Sequence, residues 1–146
     1  IAQNLHAVLA LGLEVEGRFV QPIGDAQMDV SAAYTFLDAT LDADDSVADY
    51  KYALTAARHL LQTTATVRRG PVSVRLQSLW KDRLSDGPAT DQYAVFHGRM
   101  TYALPFGIQN VRLSTEVRNL FDRDYTEVFN APLPGRTVLV GASVQW

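Results

Sequence analysis

Residues 111–146 read VRLSTEVRNLFDRDYTEVFNAPLPGRTVLVGASVQW, and their alternation decides the fold. Val111, Leu113, Thr115 and Val117 alternate with Arg112, Ser114, Glu116 and Arg118. After a loop, Val138, Val140, Ala142, Val144 and Trp146 alternate with Thr137, Leu139, Gly141, Ser143 and Gln145. Side chains of period two stand on opposite faces of a strand, so this stretch is strand, loop, strand. The chain stops on an aromatic ring with no polar tail, an unusual ending for a strand bathed in water.

The same rhythm runs upstream. Strands are expected at about 10–20, 27–37, 58–68, 72–81 and 93–104, which with the last two makes seven. Apolar residues recur at i, i+2 and i+4, not at helical spacing. Pro22-Ile23-Gly24-Asp25, Gly70-Pro71 and Pro105-Phe106-Gly107 are turn signals. Compact connections therefore alternate with longer ones at about 38–56, 82–92 and 120–135. Consecutive hairpins put the short turns at one end of a sheet and the long loops at the other. The fold class is all-β: an antiparallel up-and-down sheet.

Charge is sorted by face. Leu11, Leu13, Val15, Gly17 and Phe19 oppose Gly12, Glu14, Glu16 and Arg18, and Val72, Val74, Leu76, Ser78 and Trp80 oppose Ser73, Arg75, Gln77, Leu79 and Lys81. The first-named faces carry no charge; Asp38, Arg69 and Asp82 break the parity and are assigned just past strand ends. Such a sheet has two solutions. In water the uncharged face packs inward, as in a lipocalin-like barrel or a sandwich. In a bilayer it faces lipid, and the charged face lines an interior. Aromatics near strand ends on the uncharged face (Phe19, Tyr34, Phe36, Trp80, Phe96, Tyr102, Trp146) suit interfacial girdles. A sheet in lipid must close to pair its backbone, and seven strands do not close well, so an incomplete barrel is expected.

Composition narrows the functions. The 146 residues suffice for one domain, and 47% hydrophobic with 20% charged residues exclude a disordered chain. Net charge is −3 without a basic block, which argues against nucleic acid as a partner. There is no cysteine, hence no disulfide and no thiolate metal site. No apolar run is long enough for a membrane helix, but a membrane strand needs only about 9–11 alternating residues.

Catalytic constellations are absent, and no enzyme activity or cofactor is expected. Glu14 and Glu16 share a face about 7 Å apart, a spacing in the range of a glycosidase pair, but they read as a charged wall beside Arg18. His6, His59 and His97 lie on separate segments without ligand spacing. The acidic run Asp42, Asp44, Asp45 lacks the twelve-residue calcium-loop pattern and reads as a solvated loop, so no metal site is assigned.

Asn119-Leu120-Phe121-Asp122-Arg123-Asp124-Tyr125, then Pro134-Gly135-Arg136, then alternation to Trp146, resembles the C-terminus of TonB-dependent outer-membrane receptors. Gly12-Leu13-Glu14-Val15-Glu16, Tyr34-Thr35-Phe36-Leu37-Asp38-Ala39 and Arg58-His59 resemble further strands of that family; Ala57 stands where the family usually has Pro. The C-terminal part looks closer to the cobalamin and iron-siderophore receptors. The resemblance implies a barrel of about 22 strands with a plugged lumen, of which residues 1–146 supply the last seven or so. The plug domain and the TonB box would be absent. It implies uptake of a metal chelate (iron-siderophore, haem or cobalamin type) energised by TonB, in the bacterial outer membrane. Implied partners are outer-membrane lipid, the TonB complex through the missing N-terminal region, and the barrel-assembly machinery through the C-terminal strand.

Under that resemblance Asn119 and Asp122 would hold a turn by side-chain bonds, and Gly135 would let the chain re-enter the barrel. Arg136 would sit near the outer headgroups and Trp146 at the periplasmic interface. Any contact with the chelate would come from the outer loops, through Tyr50, Tyr52, Arg123, Tyr125 and Phe129. Two other functions fit the alternation: a small outer-membrane porin or structural barrel, and a soluble β-barrel binding a small apolar ligand. A seven-stranded piece with two open edges is expected not to fold alone.

Overall fold

The computed structural model describes residues 8–41, 57–83, 92–104, 110–128 and 131–145. Tyr50, Tyr52, Phe129, Trp146, His6, the acidic run 42–45 and the turn at 105–107 lie outside the described residues. The described chain is strand and turn, with no helix. The strands are β1 (Val8–Ile23), β2 (Ala26–Leu41), β3 (Ala57–Arg69), β4 (Val72–Arg83), β5 (Gln92–Leu104), β6 (Asn110–Arg118), β7 (Thr126–Val128), β8 (Ala131–Pro132) and β9 (Thr137–Gln145).

Seven of them form one antiparallel sheet in the order β1-β2-β3-β4-β5-β6-β9, and β7 pairs with β8 in a separate ribbon. Every neighbour in the main sheet is the next main strand in sequence, the up-and-down arrangement expected. The sheet is not closed: β1 forms one edge and β9 the other.

Two tight turns fix the register. Gly24 and Gly70 adopt left-handed backbone (φ 61° and 53°) at the first central position of two-residue hairpins. That geometry matches the twist of the flanking strands and is open to glycine without a Cβ clash. Pro71 follows Gly70, where its missing N–H is not needed, and its carbonyl accepts the Ala103 N–H at 2.8 Å. Pro22 belongs to β1, opposite Gln27, rather than to the turn. An edge strand near its end tolerates proline because the absent N–H need not serve a ladder on both sides.

The strands run further than the charge pattern suggested. β2 continues through Asp38, β3 through Arg69 and β4 through Asp82, so these residues sit within strands on the otherwise uncharged face. Backbone pairing does not depend on side-chain polarity, and strand pairing therefore persists past the apolar band. Between these charges, β4 is charge-free on that face from residue 72 to 80, roughly 30 Å of strand at about 3.3 Å per residue. A strand tilted by about 40° covers a little over 20 Å of height in that length, close to the apolar band of about 25 Å on membrane barrels.

Burial is slight on both faces of the sheet and unequal between them. Phe19, Val30, Ala65, Leu76, Gly98, Val117 and Val138 form one row across all seven strands. Much of this face is open: Leu13 is 57% exposed, Met100 50%, Val138 60% and Val140 82%. The buried strand residues (Thr66, Arg83, Tyr93 and Val95) all lie on the opposite, charged face. The expected girdle aromatics separate by position. Tyr34, Phe36 and Trp80 gather around His59 toward the long-loop end, with the Tyr34 hydroxyl 2.7 Å from His59 Nδ1. Phe19 lies four residues inside β1 rather than at its end.

Candidate functional site

The Asn-Leu-Phe-Asp-Arg segment ends β6 and builds a knot of side-chain-to-backbone bonds. Asn119 and Asp122 both adopt left-handed backbone, φ 50° and 56°. Asn and Asp are the non-glycine residues that accept this most readily, because their short polar side chains bond locally. Asn119 Oδ1 accepts the Arg123 N–H at 2.8 Å, and Asn119 Nδ2 donates to the Arg123 carbonyl at 2.9 Å. The same Nδ2 reaches the Pro134 carbonyl at 3.4 Å, tying the start of the loop to its end. Asp122 Oδ1 accepts the Arg136 N–H at 2.6 Å. A Cβ at Gly135 would lie 2.7 Å from that oxygen, so a larger residue there would push the Asp122 carboxylate away from the Arg136 N–H. Asn119 and Asp122 thus bond the loop backbone through their side chains, and Pro134 and Arg136 supply the far partners.

The knot is anchored in the sheet. Leu120 N–H donates to the Phe96 carbonyl at 2.8 Å, and Phe121 meets the Phe96 ring edge-on at 5.2 Å. The Asn119 N–H donates to His97 Nδ1 at 3.1 Å, which places the imidazole proton on Nε2. His97 thus has a structural task that its isolated position in sequence did not reveal.

From the knot, the loop turns back over the charged face. Arg83 is fully buried and donates from Nη2 to the carbonyls of Thr126 (3.1 Å) and Glu127 (3.0 Å). Lys81 Nζ bonds the Glu127 carboxylate at 2.7 Å, and the Arg83 guanidinium lies 3.5 Å from the same group. Tyr125 packs on Tyr93 with ring centroids 4.6 Å apart. The β7–β8 ribbon is therefore pinned to β4 and β5.

Of the residues assigned to ligand contact, Arg123 and Tyr125 are described. Arg123 exposes its side chain while its backbone is bound to Asn119; Tyr125 is half-buried against Tyr93. Among the described residues no group of three His, Cys, Asp or Glu side chains is placed to hold a metal ion. Glu14 and Glu16 stand exposed on edge strand β1.

The Tyr93 hydroxyl is buried and has no hydrogen-bond partner among the described residues. An unpaired buried hydroxyl destabilises, so Tyr93→Phe is expected to leave stability unchanged or raise it by up to about 1 kcal/mol. A urea midpoint that falls by more than that would show the hydroxyl to be bonded.

No protein-family model matches the chain, and no curated protein matches it.

Proposed function

We propose that this chain is the C-terminal wall of a TonB-dependent outer-membrane receptor that takes up a metal chelate of the iron-siderophore, haem or cobalamin type. The observation that carries the reading is the exposed apolar face, charged only toward strand ends at Asp38, Arg69 and Asp82, with the buried strand residues on the opposite side. A soluble barrel would bury that face; a membrane barrel turns it to lipid and fills its interior with polar groups. The bonded Asn119–Arg136 knot supports the family reading in particular, because Asn119, Asp122 and Gly135 each have a separate task there. In this reading the short turns are periplasmic, the β7–β8 ribbon is extracellular, and the loop residues Tyr50, Tyr52, Arg123, Tyr125 and Phe129 contact the chelate. TonB would act through residues outside this sequence, and the assembly machinery would meet β9.

The test is a pair of lysine substitutions on adjacent β4 positions, made in the product of the whole gene and reconstituted in lipid. Leu76 lies mid-strand on the uncharged face and Gln77 on the charged face. Leu76→Lys should cost about 2–4 kcal/mol of folding free energy in the bilayer, and Gln77→Lys less than about 1 kcal/mol. Equal costs, or a protein that stays soluble without detergent, would reject the membrane reading. Chelate-dependent growth of cells carrying the intact gene, lost on its deletion, separates a receptor from a porin or structural barrel.

A further inference from the structure

The charged face holds more arginine than its carboxylates can neutralise, and the excess is gathered in one place. A cavity of about 390 Å³ opens near the short-turn end of β3–β6. Arg68, Arg75, Arg99 and Arg112 line it, one from each of four adjacent strands, with no carboxylate in its lining. The register explains the arrangement. Ser73 pairs with Thr101 at the centre of the site, Arg68 pairs with Ser73 in the same row, and Arg75 pairs with Arg99 in the next row. Arg112, opposite Ala103, closes the far side.

Arg75 and Arg99 are thus like charges directly opposite each other, a destabilising arrangement in an antiparallel pair. The nearby acids relieve it only in part. Asp29 is engaged by Arg18 at 2.6 Å and leaves Arg68 at 3.9 Å. Glu116 is engaged by Arg118 at 2.6 Å and leaves Arg99 at 3.9 Å. Among the described residues Arg75 hydrogen-bonds a neutral partner, the Thr66 hydroxyl, at 3.3 Å, and Asp29 acts on it only at longer range. Arg112 has no ion pair among the described residues.

We propose that this cavity binds a multiply charged oxyanion of the phosphate type. Guanidinium forks match the geometry of phosphate oxygens, and rings of arginine select anions in barrel interiors. Ser73 and Thr101 supply hydroxyl donors between the arginines. The cavity exceeds a bare phosphate and leaves room for an attached organic group. The inference stands on the cavity alone and holds whether the protein is a receptor or a porin.

The experiment uses the product of the whole gene in neutral-detergent micelles at constant ionic strength, with chloride exchanged for inorganic phosphate. Phosphate should raise the urea midpoint saturably, beyond any effect of chloride. Arg75→Gln with Arg99→Gln should weaken the apparent affinity by about tenfold or more, since charge-assisted bonds are lost. That double variant should also be no less stable than wild type without phosphate, because a like-charge contact is removed; this distinguishes lost binding from misfolding. Arg69→Gln removes a cation paired with Asp25 outside the cavity and should keep the full response. A shift with phosphatidic acid in the micelle, but none with free phosphate, would assign the anion to a lipid headgroup. No shift with either, or an equal response in the double variant, overturns the proposal.

Discussion

Asn119→Ala is expected to destabilise the fold by about 3–4 kcal/mol, a large share of the roughly 5–15 kcal/mol that holds a typical domain together. Two costs add. Alanine at φ 50° pays about 1–2 kcal/mol for left-handed backbone that asparagine accepts more readily. The lost side chain also leaves the Arg123 N–H and carbonyl without their partners at 2.8 and 2.9 Å, at about 1 kcal/mol each. Asn119→Gly separates the two, because glycine restores the backbone but not the bonds; it should recover about 1 kcal/mol of the loss. Urea unfolding of the whole gene product in micelles, followed by tryptophan fluorescence, gives both numbers. A loss below about 1 kcal/mol for the alanine variant would mean that the knot does not hold the β6–β9 connection.

That knot was the part of the site most legible in sequence, for a physical reason. Its closest bonds are local: Asn119 bonds four residues along, and Asp122 then reaches Arg136 across the longer 120–135 loop. The main strands were legible for a similar reason, since period two and the Gly24 and Gly70 turns act over a few residues. Strand ends were not. Asp38 and Asp82 read as terminators because their charge interrupts the apolar alternation, whereas the ladder uses only backbone groups. The short ribbon β7–β8 was also hidden, because its segments Thr126–Val128 and Ala131–Pro132 carry little alternation and one contains proline. Likewise, His97 meets Asn119, and Arg75 meets Arg99, only once the strand register is fixed.

Arg83 falls in the 82–92 connection by sequence pattern, which ends the fourth strand at residue 81, whereas the structure carries β4 to Arg83. Its parity with Arg75 and Lys81 was the available signal, and the longer strand turns it onto the charged face beneath the ribbon. Arg83→Ala is expected to cost about 3–5 kcal/mol, the range for breaking a buried ionic contact and stranding its partners. The Thr126 and Glu127 carbonyls would lose donors at 3.1 and 3.0 Å, and the Glu127 carboxylate one of its two cations. Lys81 would remain at 2.7 Å from Glu127, so the ribbon should loosen from its backbone contacts first. Amide exchange should reveal this as lost protection in Thr126–Val128 while β3 and β4 stay protected near the short turn. Arg83→Lys should recover little, because an ammonium cannot reproduce the planar fork at two carbonyls and a carboxylate. If exchange in the ribbon is unchanged in Arg83→Ala, Tyr125 on Tyr93 must be the dominant anchor. The whole loss should then appear in Tyr125→Ala instead, which makes the two variants a direct measurement of what pins the loop to the sheet.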